Sequence, residues 1–451
     1  MKSASTPRSS RLRPVPLLLA SVALLWGCGG GGGGGTTGTG GGNPPPVAQW
    51  ESRILRVVDA GGLTTPRLDT VVDDTGQAHL FFFEDTSDDL APPYTIRHMV
   101  IDPEGGSAAA AAADSSVVQV DNCSGLSATL LTGTDPLVLY QGGLEKACGG
   151  PQQADAMLSL EEVGGWQEYT AAIGDVPPER NPYFRDGLAG TSMATATDSA
   201  GNIHAVFQFF WEGCDANNFL YPDLRYVSSD TAALSPLTGL TEETVEGNSY
   251  EFMGVPNEQN RVGDQVCLAV DGNDRPVVFY SFGAETIGGP QGLRVARREA
   301  GGWVQDWVES DCQVGAVSCA TSPTDGSVAV AYQVKSYTDD RDDVDCLRFA
   351  EQGDGGWEPR MVDDQTRCGH DCSLAFDAEG NPAIAYRSAL SHTNRPLDDL
   401  KLARRSGATW EDEEVATTGD LGHYNRLWIA GDTTHITTYS EAQRTIFLLS
   451  R

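Results

Sequence analysis

The sequence is poor in basic residues and in histidine, and it contains none of the short motifs that mark common catalytic centres. It has 30 Lys and Arg against 63 Asp and Glu, a formal net charge of -33, and seven His. The histidines are scattered, with no His-Glu-x-x-His and no Gly-x-Ser-x-Gly. Such an acidic surface repels nucleic acid and anionic membrane, and it favours cationic partners or divalent ions. These observations argue against nucleic acid as a partner and favour a protein that is not an enzyme.

Long apolar runs are also absent, except for one at the N-terminus. Residues 1–13 are basic without an acid, and residues 15–26 are almost all apolar. This run is too short to span a membrane and has the charge order of a secretory signal. It ends in Leu25-Trp26-Gly27-Cys28, which resembles the lipobox of bacterial lipoproteins. The resemblance implies that Cys28 is lipidated and becomes the new N-terminus, and the alternative is an ordinary signal peptide followed by an unmodified cysteine.

The lipobox resemblance, together with the composition, implies three segments. Residues 1–27 are a lipoprotein signal peptide, residues 28–47 are the lipidated Cys with a tether rich in Gly, Thr and Pro, and residues 48–451 are the folded domain. Without the signal peptide the chain keeps 26 basic and 63 acidic residues, a net charge of -37. In lipoprotein sorting, Gly rather than Asp after the Cys resembles outer-membrane destinations. The predicted location is therefore the bacterial cell envelope, as an outer-membrane lipoprotein that faces the periplasm or the surface.

A repeated unit of about 50 residues fills the folded domain. Its clearest copy covers residues 372–417 and predicts four strands: SLAF, then PAIAY after the turn DAEGN, then DLKLARR, and a last strand that starts at Trp410. Asp and Gly favour the turn, because Asp bonds its own backbone and Gly tolerates positive φ. The hairpin of the first two strands recurs from about residues 68, 124, 193, 267, 319 and 372.

The two ends of the domain complete a seventh unit. Residues 427–449 provide three strands, and residues 50–58 match the fourth strand that begins with Trp. A sheet shared by both chain ends is typical of β-propellers, in which it removes an open edge. The predicted fold is an all-β propeller with seven four-stranded blades, the last closed by the N-terminal strand. Six blades is the alternative, if the irregular second unit is an insertion.

Over residues 48–451 the strand pattern resembles the bacterial propeller repeats grouped with sialidase-like and BNR-type domains. The match is to strands and turns, not to a site. The Asp-box Ser-x-Asp-x-Gly-x-x-Trp and the calcium loop Asp-x-Asp-x-Asp-Gly are both absent from the sequence. The resemblance therefore implies the fold and does not transfer sialidase chemistry.

Two kinds of side chain recur at matching places in the units. A cation stands in the third strand, and its aliphatic stem is expected to cover apolar surface with the charge in solvent; these cations are Arg97, Arg225, Arg294, Arg348 and Lys401. A tryptophan opens the fourth strand and is expected to pack between sheets rather than to stack on sugar; these tryptophans are Trp166, Trp303, Trp357 and Trp410.

Nine cysteines follow Cys28, and an exported chain with this many is expected to form disulfides. The predicted pairs are Cys123–Cys148, Cys214–Cys267 and Cys346–Cys372. The sequence assigns no partner to Cys312, Cys319 and Cys368, and the odd count predicts one thiol or an intermolecular bond. No Cys-x-x-Cys pair has a second pair or His partners, so no zinc site is predicted.

By analogy with propellers in general, a ligand is expected at one end of the central channel, where first strands begin and second strands end. Arginines there could receive a carboxylate or a sugar acid by bidentate bonding, or they could pair with adjacent Asp residues and hold loops in place. The predicted binding residues are Arg67, Arg185, Arg261, His370, Asp371, Arg387, Arg426, Gln208 and Gln333. No cofactor is predicted, although the acidic loop at 339–345 could take calcium or be a solvated loop.

The sequence leaves three functions open and identifies no catalytic residue. The main hypothesis is a lipid-anchored, non-enzymatic envelope propeller that acts as a scaffold for an unknown glycan, peptide or envelope protein. One alternative is a carbohydrate-active enzyme of the glycosidase or sialidase type, which would need two carboxylates about 5–10 Å apart beside arginines. The other is a structural component of an envelope assembly.

Overall fold

The chain folds into a closed ring of β-sheets. The computed structural model describes residues 49–57, 67–85, 94–105, 114–120, 125–131, 133–142, 155–172, 186–212, 220–229, 240–247, 260–284, 289–337, 346–365, 367–389, 398–417 and 420–451. Within these residues, 28 strands form seven four-stranded antiparallel sheets. No helix in this part of the chain is long and apolar enough to cross a membrane. The predicted propeller of seven blades is confirmed, and the second unit is a regular blade rather than an insertion.

The strands follow the repeat of the sequence, after an initial strand β1 (Glu51–Val57) that belongs to the last blade. Blade 1 has β2 (Leu68–Val72), β3 (Ala78–Asp85), β4 (Tyr94–Ile101) and β5 (Asp114–Val120). Blade 2 has β6 (Leu126–Leu131), β7 (Asp135–Gly142), β8 (Asp155–Glu162) and β9 (Gly165–Ala172). Blade 3 has β10 (Asp186–Thr197), β11 (Ile203–Glu212), β12 (Leu220–Ser228) and β13 (Thr241–Glu246).

The second half of the ring is built in the same way. Blade 4 has β14 (Asn260–Val270), β15 (Pro276–Ala284), β16 (Gln291–Glu299) and β17 (Gly302–Ser310). Blade 5 has β18 (Cys312–Thr321), β19 (Val328–Tyr337), β20 (Cys346–Gly353) and β21 (Gly356–Asp363). Blade 6 has β22 (His370–Phe376), β23 (Pro382–Ala389), β24 (Asp398–Ser406) and β25 (Thr409–Ala416). Blade 7 has β26 (His423–Ala430), β27 (Thr433–Ser440), β28 (Thr445–Ser450) and β1.

Strand β1 closes the ring as predicted. It runs antiparallel to β28, with Glu51 opposite Ser450, and so covers an edge that would otherwise be open. Arg56 of β1 donates a hydrogen bond of 2.6 Å to Glu84 of blade 1, which ties the last blade to the first. Trp50 packs against the apolar core shared by blades 6 and 7.

The first strands lie side by side around the inside of the ring, in the order β2, β6, β10, β14, β18, β22, β26 and back to β2. In blades 1, 3, 4 and 6 the hairpin turn after the first strand opens with an Asp whose carboxylate accepts hydrogen bonds from backbone N–H groups of the turn, as expected. In blade 1 the Asp73 carboxylate accepts hydrogen bonds from the backbone N–H groups of Thr75 and Gln77, both at 2.9 Å. Gly76 in the same turn has a φ of 84°, where a side chain would be strained.

The recurring tryptophans join neighbouring blades, as expected. Each lies edge-on against an aromatic ring of the preceding blade, which buries apolar area across the boundary. The pairs are Trp166 with Phe81 at 5.7 Å, Trp303 with Tyr226 at 4.9 Å, Trp357 with Phe279 at 5.1 Å and Trp410 with Phe349 at 5.2 Å between ring centroids.

The charges of all five third-strand cations are paired with acids, which differs from the expectation. In blades 1 and 3 the acids belong to the same blade, as for Arg97 with Asp114 at 2.6 Å and Arg225 with Asp223 at 3.6 Å. In blades 4, 5 and 6 they belong to the preceding blade. Arg348 donates a 2.9 Å hydrogen bond to Glu309 in the fourth strand of the preceding blade, and the buried Tyr332 hydroxyl donates to the same carboxylate at 2.5 Å. The stem packs between sheets, but the charge is paired rather than solvated, because the neighbouring blade supplies an acid at that place. The arrangement recurs as Arg294 and Tyr280 on Glu246, and as Lys401 and Tyr386 on Asp363.

The predicted disulfide Cys346–Cys372 is wrong, since both residues are thiols. Cys346 lies opposite Val334, whereas the Cys372 sulfur lies 3.6 Å from the carbonyl oxygen of Ala331 on the same strand. Three residues of strand separate these two places by about 10 Å, which is too far for an S–S bond.

The predicted disulfide Cys214–Cys267 is also not formed, because Cys267 is a thiol that makes a hydrogen-bond contact with the thiol of Cys319. Burial, together with this contact, raises the pKa of Cys267. Cys214 itself lies outside the described residues, as do Cys123, Cys148 and Cys28.

Candidate functional site

The channel mouth is the end of the ring where first strands begin and second strands end. Five first strands, those of blades 3 to 7, depart from regular pairing there. A bulge of this kind bends the strand and re-aims side chains, and bulges are common beside functional sites. The irregularities lie between Ala189 and Met193, Val262 and Val266, Val314 and Val317, His370 and Ser373, and His423 and Arg426.

The turns that lead into β22 and β26 have the same conformation. Each turn contains a Gly-His pair, and three residues around the start of each strand have positive φ. These are Arg367, Gly369 and Asp371 at β22, and Asp420, Gly422 and Tyr424 at β26. Non-glycine residues in this region cost about 1–3 kcal/mol each, so the surroundings must hold them. The two Gly-His turns therefore place their side chains in a defined, strained geometry.

Glycine is required at the centre of the second turn. A Cβ on Gly422 would lie 3.0 Å from the Cβ of Arg387, and the φ of 106° is unfavourable for other residues. The Gly422 N–H donates to Thr438 Oγ1 at 3.0 Å, and the Asn425 side chain donates to the carbonyls of Gly422 and Asp371 at 2.8 and 3.1 Å. The turn is thus fastened both to its own blade and to blade 6.

Gln208 and Gln333, predicted to bind ligand, are buried links between blades. Gln208 donates hydrogen bonds to the Val262 carbonyl at 2.8 Å and to Asp264 at 2.9 Å in the next blade. The Gln333 amide lies 3.1 Å from Nε2 of His370, again in the next blade. Both glutamines are almost fully buried, and these contacts hold Asp264 and His370 in place.

Three predicted arginines are paired with aspartates at the mouth, which matches the loop-holding alternative. The pairs are Arg426–Asp69 at 2.5 Å, Arg387–Asp371 at 3.0 Å and Arg261–Asp264 at 2.8 Å. Each pair cancels its own charge, and all three arginines keep some exposure, from 18% for the Arg387 side chain to 66% for that of Arg261. These three pairs therefore present fixed donors and acceptors with little net charge of their own.

Asp69 joins three blades at the point of closure. Its Oδ1 atom accepts from Arg426 of blade 7, and Oδ2 accepts from the backbone N–H of Ala128 in blade 2 at 2.9 Å. The hydroxyl groups of Thr70 and Thr437 meet beside it at 2.8 Å. Arg67 lies half-buried just before β2, whereas Arg185 and the acidic loop at 339–345 lie outside the described residues.

One further set of side chains at the mouth was not expected from the sequence. Asp420, His423 and Glu441 place one ligand atom each within 4.8 Å of one another, and they are the one such set found in the described part of the chain. The repeated Gly-His pair was a usable signal for His423. Glu441 follows β27 and lies 18 residues after His423 in the sequence. Only the hairpin of β26 and β27 brings the two side chains together, so their spacing does not match a metal-ligand motif.

A polar pocket of about 370 Å³ lies at the opposite end of the ring, beside β1, β28 and the turn after β4. In its wall, His435 Nδ1 lies 2.8 Å from Ser450 Oγ and Nε2 lies 3.3 Å from Glu104. This Ser-His-Glu row is not an active site by itself, since the His435 side chain is only 1% exposed. His79 and His204 hold the same strand position in other blades, which favours a structural role.

The chain matches no protein-family model and no curated protein. Solved structures that resemble it include NanB sialidase from Streptococcus pneumoniae, with 8% identity over 88% of this chain and 70% of that one and a TM-score of 0.42. An α-L-arabinanase from Penicillium chrysogenum has 9% identity over 89% and 97% of the two chains, with a TM-score of 0.45. A sialidase mutant from Trypanosoma rangeli has 11% identity over 84% and 59%, with a TM-score of 0.44. At these values the resemblance to sialidase-like propellers stays at the level of the fold, and the side chains of this protein must carry any argument about its function.

Proposed function

We propose that the protein is a lipid-anchored, non-enzymatic propeller of the cell envelope that binds a neutral glycan at the channel mouth. The observation that carries the proposal is the pairing of Arg261, Arg387 and Arg426 with aspartates at that mouth. Sugar hydroxyl groups both donate and accept hydrogen bonds, so fixed guanidinium and carboxylate groups can serve them together. The bulged first strands supply the irregular, rigid surface on which such groups stand.

The same pairing argues against an anionic ligand such as a sugar acid. A ligand carboxylate would have to displace an aspartate from its arginine, and it would approach a chain with a net charge of -33. A neutral ligand meets neither obstacle. This narrows the scaffold hypothesis from an unspecified partner to uncharged sugars.

Glycoside cleavage is the second candidate, and it is favoured by the carboxylates of Asp371 and Asp264, which stand at the mouth beside arginines. Cleavage requires one carboxyl group to donate a proton to the leaving oxygen. Both aspartates instead form ion pairs with arginines, Asp371 with Arg387 and Asp264 with Arg261. Binding without turnover fits these contacts better.

Calorimetry with the full-length protein in detergent, against neutral and acidic oligosaccharides, tests the proposal. We expect binding of neutral sugars, and we expect Arg261→Ala to weaken it at least tenfold, since the exposed Arg261 can reach a ligand without supporting the fold. Arg275→Ala is the matched control, because Arg275 forms a similar exposed pair with Asp271 at 2.6 Å in the turn at the opposite end. Preferential binding of acidic sugars, equal effects of the two variants, or release of reducing sugar would contradict the proposal.

The anchoring part of the proposal has its own test. Lipidation at Cys28 is expected to keep the protein with the membrane fraction, and Cys28→Ala should release it. Membrane association that persists in Cys28→Ala would count against the lipid anchor while leaving the glycan site untouched.

A further inference from the structure

We propose that Asp420, His423 and Glu441 form a binding site for a divalent transition metal, of which Zn²⁺ is the probe. The site lies at the channel mouth in blade 7. The proposal depends on these three side chains alone and not on the glycan proposal. It also revises the expectation of no zinc site, which considered only cysteine-containing patterns.

The distances are close to those that a metal requires. His423 Nε2 lies 3.5 Å from Asp420 Oδ1 and 3.8 Å from Glu441 Oε2. Ligand atoms about 2.0 Å from a tetrahedral zinc lie about 3.3 Å apart. The third pair, Asp420 and Glu441, lies within 4.8 Å, and the 65% exposed Glu441 side chain can approach further without moving the backbone.

Asp420 provides an independent sign that a cation belongs there. It is 7% exposed, and its Oδ1 atom has no hydrogen-bond partner among the residues that the structure describes. This same atom points at His423 Nε2, into the space between the three side chains. A buried carboxylate oxygen without a partner is costly, and a bound cation would remove that cost.

The sister turn in blade 6 shows that the set is particular to blade 7. The two turns share the Gly-His pair and the pattern of positive φ, but Arg367 stands where blade 7 has Asp420. In the strand register, His370 lies opposite Arg387 and His423 lies opposite Tyr439. Two residues after these partners, blade 6 has Ala389 where blade 7 has Glu441. Two of three ligands are therefore replaced, one by a cation.

One imidazole nitrogen and two carboxylates favour zinc or a similar divalent transition metal over calcium, which prefers six to eight oxygen ligands. Three protein ligands leave a coordination position for water or a ligand hydroxyl. The exposure of Glu441 leaves this position open to the solvent at the mouth. The acidic surface of the chain also attracts cations.

Equilibrium dialysis of the purified full-length protein with ZnCl₂ tests the proposal. We expect one Zn²⁺ per chain at this site. In both His423→Gln and Glu441→Gln the dissociation constant for Zn²⁺ should be at least tenfold larger. Glu441 is exposed, so its variant should fold normally, and circular dichroism checks this. His370→Gln in the sister turn is the matched control and should bind Zn²⁺ as the wild type does.

Substitution with Co²⁺ distinguishes this site from the cysteine thiols. Ligation by nitrogen and oxygen gives weak visible bands, whereas thiolate ligation adds strong charge-transfer absorption. Absence of stoichiometric binding, binding unchanged in both blade 7 variants, or a thiolate spectrum would each overturn the proposal. Loss of the metal site with glycan binding intact, or the reverse, separates this inference from the proposed function.

Discussion

His98 shows at the scale of one residue how burial governs polar groups in this protein. Its side chain is 2% exposed, its ring stacks on Phe81 at 4.7 Å, and its Nε2 atom lies 2.9 Å from Nδ1 of His79. Burial and the neighbouring His79 lower the pKa of His98 to about 3. The imidazole therefore stays neutral in the folded chain at pH values where an exposed histidine is charged.

This shift predicts a loss of stability in mild acid. Between about pH 6.5 and pH 3, the unfolded chain binds a proton at His98 that the folded chain does not, so the free energy of unfolding falls as the pH drops through this window. We expect urea midpoints to fall between pH 7.5 and pH 5, and to fall less steeply in His98→Gln. Burial also lowers the pKa of His204 and His435, so part of the slope should remain in the variant. Equal slopes for the two proteins would contradict the assignment to His98.

At the scale of the element, the first strands are fastened to one another by a repeated hydrogen bond. A side-chain oxygen in one first strand accepts from a backbone N–H in the next. The four instances are Asp69 with Ala128, Ser127 with Thr195, Ser318 with Leu374, and Ser373 with Leu427, at 2.9–3.1 Å. Between blades 4 and 5 the corresponding position is Cys267, whose thiol meets Cys319 instead.

The repeat predicts opposite outcomes for two substitutions. Ser373→Ala leaves the N–H of Leu427 without its acceptor and should lower the free energy of unfolding by about 1–3 kcal/mol. Cys267→Ser supplies a hydroxyl that can accept from the N–H of Cys319, as the serines do elsewhere, and should be nearly neutral. Urea unfolding measures both, with Cys267→Ala as the control that offers no acceptor. Cys267→Ser as damaging as Ser373→Ala would contradict the equivalence of the junctions.

At the scale of the whole molecule, stability depends on the single strand that comes from the other end of the chain. Deleting residues 49–57 removes β1 and leaves β28 as an open edge, which favours aggregation. We expect a lower urea midpoint and self-association by size-exclusion chromatography. Arg56→Ala is the control, because losing a partly exposed ion pair costs about 0–1 kcal/mol. An unchanged midpoint after the deletion would contradict closure by β1.

The fold could be predicted because its signals are local and repeated. The Asp and Gly turns, the alternating strands and the tryptophan at the start of each fourth strand recur often enough to identify the units. Trp50 could even be assigned to the last blade from the sequence alone, since it matched the other tryptophans. The same tryptophans were expected to pack between sheets, and their ring contacts with the preceding blade confirm this.

The site could be predicted only in outline. The channel mouth follows from the order of the strands, but the burial of Gln208 and Gln333 between blades and the approach of Asp420 and Glu441 to His423 do not. The proposed pair Cys346–Cys372 failed for a similar reason, since two cysteines near the same strand lie at different heights along it. Such outcomes depend on bulges and strand register, which a spacing in the sequence does not reveal.

The sequence by itself determined the number of strands, their turns, the order of the blades and the closure, because each depends on residues that are neighbours in the chain or on their repetition. Only the tertiary structure decided which charges meet. The contacts of Arg426 with Asp69 and of Arg348 with Glu309 cross blade boundaries. Asp420, His423 and Glu441 converge because a strained turn at the start of one strand faces the end of the next. These meetings depend on how sheets twist and pack around the ring, and local chemistry does not specify that.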